Sequence, residues 1–124
     1  DHYRRIVNLG GASGVLSWDQ QVMMPEGGTP ARSAQLSTLS GLRHELLTDD
    51  DVRGWLDALD GTGLDPEREA AVREIRREHE RAVRVPRALV ERVSEAASDA
   101  LPVWERARRE DDYASFAPAL EEQT

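Results

Sequence analysis

At 124 residues the chain is one domain's worth of sequence, and 32% charged against 39% apolar residues leave material for a modest core only. A formal net charge of −8 argues against nucleic acid and anionic membranes as partners. There is no cysteine, which excludes disulfides, zinc–thiolate sites and thiol nucleophiles, and all sixteen basic residues are arginine. The acidic residues are spread along the chain, as on a solvated surface. No charged segment followed by an apolar one opens the sequence, and no apolar run approaches the roughly 18 residues of a membrane span. A soluble, cytoplasmic protein is the expectation.

Apolar spacing predicts an all-α fold, a bundle of about five to six helices. The first helix runs from Asp1 to about Gln21, with Tyr3, Ile6, Val7, Gly10, Gly14 and Trp18 at helical spacing. Gly10, Gly11 and Gly14 each weaken it by about 1 kcal/mol relative to alanine. A small-residue face that admits a second helix would offset that cost, and the spacing favours one continuous helix over a break at Gly10–Gly11. Trp18 reads as core.

Residues Met24 to Gly28 form a loop, approached by Val22 and Met23. Thr29–Pro30 then offers a cap followed by a proline suited to the first helical position. This second helix reaches about Leu47, with a stripe of Leu36, Leu39, Leu42 or Arg43, and Leu46. Thr48 or Asp49 caps a third helix to about Leu59, where Val52, Trp55, Leu56 and Leu59 share a face. Gly61–Thr62–Gly63 ends it.

Asp65–Pro66 repeats the cap-and-proline start. The fourth helix, to about Arg84, carries Ala71 or Val72, Ile75, His79, and Ala82 or Val83 on a narrow stripe. Glu69 with Arg73, and Glu80 with Arg84, are spaced for i,i+4 pairing. Val85–Pro86 opens a fifth helix to about Glu110, with Leu89, Val93, Ala96 or Ala97, Ala100, Trp104 and Ala107 facing inward. Pro102 is expected to kink or divide it. Asp111–Asp112 is a stop followed by a new cap, and Tyr113 to Glu122 begins another helix.

Catalytic patterns are missing. His44–Glu45 and His79–Glu80 each start like a zinc-peptidase helix, but Thr48 and Val83 stand where the second histidine is needed. His79 lies on an apolar stripe and reads as a packed core histidine. His44 either meets carbonyls near its helix end or faces water. The acidic runs Asp49–Asp51, Asp111–Asp112 and Glu121–Glu122 fall at helix starts or in a polar tail, where capping and the helix dipole explain them. No nucleophile elbow, calcium loop or phosphate loop is present.

The distinctive segment is Leu16-Ser17-Trp18-Asp19-Gln20-Gln21-Val22-Met23-Met24-Pro25-Glu26-Gly27-Gly28, continued by Thr29-Pro30-Ala31-Arg32-Ser33-Ala34-Gln35-Leu36. Asp19 and Gln20 stand just before the turn, where polar side chains tie down loop backbone. Arg32, one turn into the next helix, is placed to reach back to Asp19 or Glu26. Met23 and Met24 suit gap-filling, or a docking surface for a part of the protein outside these residues.

This segment resembles the Trp-Asp-Gln, Met-Met-Pro, Gly-Gly, Arg-x-x-Gln signature of the carboxypeptidase Taq family, on Trp18, Asp19, Gln20, Met24, Pro25, Gly28, Arg32 and Gln35. The run Leu42 to Asp49 is similar to the family's following helix. Glu105 to Tyr113, with Phe116 and Pro118, is similar to its charged run before a new helix. The resemblance implies the N-terminal part of a larger, neurolysin-like all-α metallopeptidase, trimmed at both ends, that removes residues from peptide C-termini. It implies zinc or another divalent metal in the full-length enzyme, peptide substrates and a possible homodimer. The family's His-Glu-x-x-His helix, its further metal-ligand glutamate and its carboxylate-binding residues map onto nothing here. No catalytic and no metal residue is therefore assigned. The expected role of residues 1–124 is a wall or lid of the substrate groove, inactive alone, with the remainder of its own polypeptide as partner. The rival class is a free-standing acidic interaction module, which composition fits equally well.

Overall fold

A computed structural model describes residues 1–123. Among them the chain forms α1 (His2–Val22), a 3-10 turn (Glu26–Gly28), α2 (Thr29–Leu47), α3 (Asp50–Leu59), α4 (Pro66–Ala82), α5 (Arg87–Glu110) and α6 (Tyr113–Glu122), with no strand. The all-α expectation holds, and α1 is continuous through its glycines. The hub is α2: α1 and α5 pack along it, α4 touches it, α3 pairs with α4, and α6 folds back on α5. Ile6, Leu36, Leu47, Val52, Leu56, Ala100 and Ala107 form the buried apolar core.

Small polar residues join α2 to α5. Ser33 and Ser37 donate to the carbonyls of Glu95 and Glu91, at 3.4 and 3.3 Å, and Ser40 donates to Ser94 Oγ at 3.1 Å. Gly41 completes this face, and a Cβ there would meet the Glu91 side chain, whose Cδ would lie 2.8 Å away. Serine and glycine let the two helices approach closely, while each hydroxyl finds an acceptor. The predicted inward stripe of α5 lies on its other side. Ala100 and Ala107 are buried in that stripe, but Leu89, Val93 and Trp104 are exposed, because α6 is too short to cover the whole face.

The carbonyls of the last turn of α2 have no intrahelical partner. His2 Nε2–H donates to Leu46 O at 2.6 Å, and His79 Nδ1–H to Leu47 O at 2.8 Å. Thr48 N–H and Oγ–H both reach His44 O at 2.9 Å. His79 is thus a buried structural histidine, as its place on the stripe predicts. The helix end is served by His2 and His79 rather than by the side chain of His44.

Several local expectations need correcting. Gly28, not Thr29, occupies the N-cap of α2, because the 3-10 turn runs directly into the helix; Thr29 Oγ instead bonds back to Glu26 O at 3.3 Å. Asp49, Asp65 and Asp112 do cap α3, α4 and α6, accepting from the backbone N–H of Asp51, Arg68 and Ser115. Asp111 stops α5 in the left-handed region at φ 53°. Glu69–Arg73 and Glu80–Arg84 form no ion pair. Arg76 instead spans from α4 to Asp57 and Asp60 at 2.6 and 2.9 Å. Trp55 and Leu59 are exposed, since α3 buries only Val52 and Leu56, and Leu42 of α2 is exposed as well. Pro102 does not divide α5.

Candidate functional site

The distinctive segment folds into a helix–turn–helix corner between α1 and α2. At the end of α1, Asp19 O accepts from the N–H groups of Met23 and Met24 at 2.9 and 2.8 Å, which ends the helix. Pro25 is extended (φ −62°, ψ 149°) and starts the 3-10 turn, closed by Gly28 N–H to Pro25 O at 2.8 Å. Met24 folds over Gly28, where a Cβ would lie 2.8 Å from Met24 Cγ. Glycine is required here by close contact rather than by backbone angle, since its φ is −80°.

Arg32 locks the corner. Its guanidinium donates to Asp19 Oδ2 at 2.6 Å, to Leu16 O at 2.5 Å and to Gln35 Oε1 at 3.2 Å. The predicted reach from Arg32 to Asp19 is therefore made, and Glu26 is not the partner. The pair is partly shielded, with side-chain exposures of 13% for Arg32 and 34% for Asp19. A planar fork with several donors suits this position, because lysine has a single donor head for three acceptors.

Gln20 ties the corner to α5. Its Nε2 donates to Ser98 O at 3.1 Å, and Ser98 Oγ donates to Gln20 Oε1 at 3.0 Å. Ser98 O is the carbonyl that the residue four positions on would normally bond, and that residue is Pro102, which has no N–H. Gln20 supplies the missing donor. Pro102 thus creates a vacancy that the signature fills, which explains how α5 tolerates proline in its interior. Spacing alone held that signal, since 98 and 102 differ by four, but nothing in the sequence pointed from Ser98 to Gln20.

Seven of the eight signature residues sit in or around this network. Trp18 does not: its relative exposure is 59%, so the expectation of a core tryptophan is overturned. The inner face of α1 is taken by Ile6 and by half-buried Leu9 and Leu16. Trp18 lies on the opposite side, where no other element of the described chain packs.

The corner is a clamp. Asp19 is bound to a guanidinium, and Gln20 spends its amide on Ser98.

A sequence profile described as carboxypeptidase Taq (M32) metallopeptidase matches residues 1–124. The chain belongs to that family. It is 36% identical over 121 residues to thermostable carboxypeptidase 1 of Thermus thermophilus, covering 94% of this chain and 24% of that protein. Identity to thermostable carboxypeptidase 1 of Pyrococcus furiosus is 37% over 123 residues, covering 96% and 24%. Carboxypeptidase 1 of Bacillus subtilis is 26% identical over 124 residues, covering 98% and 25%. A solved structure described as "The Structure of CHT" superposes with a TM-score of 0.64 at 31% identity, over 98% of this chain and 25% of that one. The M32 chain thus spans about a quarter of the length of the relatives it matches.

The family's metallopeptidase character implies a divalent metal in the full-length enzyme. The residues described here do not fit one. No group of three or more His, Asp or Glu side chains converges among the described residues. Two of the histidines spend a ring nitrogen on the end of α2. Among the described residues, no helix is long and apolar enough to cross a membrane.

Proposed function

We propose that residues 1–124 are the N-terminal helical region of a metal-dependent carboxypeptidase, and that they form a wall or lid of its substrate groove. The observation that carries this is the match of the whole chain to the M32 family over a quarter of its relatives' length. The conformation of the signature supports it, since that segment is a clamp rather than a reaction centre. The complete protein would hydrolyse C-terminal residues from peptides, with zinc the metal favoured by the family resemblance, in the cytoplasm and in a homodimer. Residues 1–124 would have no activity by themselves; the metal ligands and the base lie in the remainder of the polypeptide. No step of the reaction is assigned to residues of this chain.

The test uses the complete gene product and two peptides that differ only in a free or amidated C-terminus. Stepwise release of amino acids from the free form alone, abolished by a chelator and restored by a divalent metal, is expected. Equal cleavage of both forms, or chelator-resistant cleavage, rejects the carboxypeptidase assignment.

A further inference from the structure

A helix that packs one face on a core should be polar on the other, and α1 is not. Its inner side buries Ile6 and packs on α2. On the opposite side Val7, Gly11, Gly14, Val15, Trp18 and Val22 recur at the helical repeat and share a face. Val7, Val15, Trp18 and Val22 are 54%, 66%, 59% and 57% exposed. Helices apolar on both sides occur where both sides are covered, and contiguous apolar surface marks a missing neighbour.

Two glycines in the middle of this face specify what kind of neighbour. A Cβ at Gly11 or Gly14 would have nothing within 4 Å, whereas one at Gly10 would touch Arg43. Neither φ is in the left-handed region. In an exposed helix interior, glycine lowers stability without any local return. Between Val7 and Val15 the glycines form a notch open to a neighbouring helix, much as Gly41 of α2 makes room for the Glu91 side chain of α5.

We infer that this face of α1 is the seat of a helix from the remaining three-quarters of the M32 polypeptide, crossing at Gly11 and Gly14 with Trp18 and Val15 packed along its flanks. The inference rests on the proposed function and names the surface by which this region joins the rest of the enzyme. The relatives' greater length supplies the occupant: this chain accounts for 24% of thermostable carboxypeptidase 1 of either organism. The face is continuous with the signature corner, since Trp18 and Val22 bracket Asp19 and Gln20 on α1.

The test compares Gly11→Leu in the 124-residue chain and in the complete gene product. In the short chain the substitution raises helix propensity in open space, and the melting temperature rises. In the complete protein the leucine fills the notch, and both melting temperature and activity fall. A rise in both proteins overturns the inference. Val15→Cys with maleimide labelling and peptide mapping gives an independent readout, with Thr62→Cys as the exposed control. Labelling of Val15→Cys on the order of tenfold slower than the control, in the complete protein only, is expected. Equal labelling in an active complete protein rejects the inference and leaves the proposed function standing. A complete product without carboxypeptidase activity withdraws the function and the inference with it. If Val15→Cys is already protected in the 124-residue chain, and light scattering shows that chain to be a dimer lost in Gly11→Leu, the occupant is a second copy and the inference is wrong.

Discussion

Arg32 engages three acceptors that no other side chain serves: the Asp19 carboxylate, Leu16 O and Gln35 Oε1. Removing the guanidinium leaves a partly shielded carboxylate without its donor, while Leu16 O, inside α1, keeps its intrahelical N–H partner. Arg32→Ala is expected to lower stability by about 1–3 kcal/mol, measured as a shift in the urea midpoint at unchanged slope. Arg32→Lys keeps the charge but loses the fork, and recovers only part of this. His79→Phe tests the end of α2 in the same way: the ring volume stays and Leu47 O loses its donor, at a cost of about 1–3 kcal/mol. Tyr3 gives a pH signature. Burial, followed by the nearby Glu78 carboxylate, holds its phenol above the ordinary value of about 10, with Arg43 opposing. The folded state therefore binds the phenolic proton more tightly than the unfolded chain does. Stability is unaffected by this group below that ordinary value and falls as pH rises through it. The phenolate absorbance difference between the wild type and Tyr3→Phe should show a midpoint above 10, and Tyr3→Phe should lose less stability in that alkaline range.

At the scale of helices, two glycines in similar sequence settings have opposite roles. Gly41 faces the Glu91 side chain across the α2–α5 contact, whereas Gly54 in α3 has nothing within 4 Å. Gly41→Leu overpacks the contact and should cost about 1–3 kcal/mol. Gly54→Ala should stabilise by about 0.5–1 kcal/mol through helix propensity, and thermal melts of both variants check the two signs. Gln20 and Pro102 are expected to be coupled. Alanine at 102 restores the N–H for Ser98 O, so Gln20→Ala should cost about 0.5–1 kcal/mol less in the Pro102→Ala background than in the wild type. Additive effects in that cycle would show that Gln20 is not the donor that compensates for proline.

The helices themselves were legible because periodic apolar residues, Asp–Pro starts and aspartate caps are local signals, and each acts within one turn of the residue that carries it. The Arg32–Asp19 clamp was legible for the same reason, as both ends lie beside one turn. What spacing left hidden is non-local. Ser33, Ser37, Ser40 and Gly41 form a stripe without a hydrophobic residue, so an apolar search passes over the face that joins α2 to α5. Trp18, Leu89 and Val93 do lie on apolar faces, but within the described residues these positions are left exposed. An apolar stripe says that a face is to be covered, and it does not say by which element.

For the whole molecule, the composition of the chain and its structure point the same way. A charged surface and a modest core surround a frame of capped helices, and the distinctive residues brace α1 against α2 and α5. Among the described residues there is no converging metal-ligand group. We propose that the chemistry of the M32 enzyme lies outside this chain and that residues 1–124 hold a wall in place. The most direct measurement is release of free amino acid from an unblocked peptide by the purified 124-residue chain, assayed with added divalent metal beside the complete gene product at equal molarity. On this proposal the complete protein shows chelator-sensitive release and the 124-residue chain shows none. Metal-dependent release by the 124-residue chain alone would contradict it.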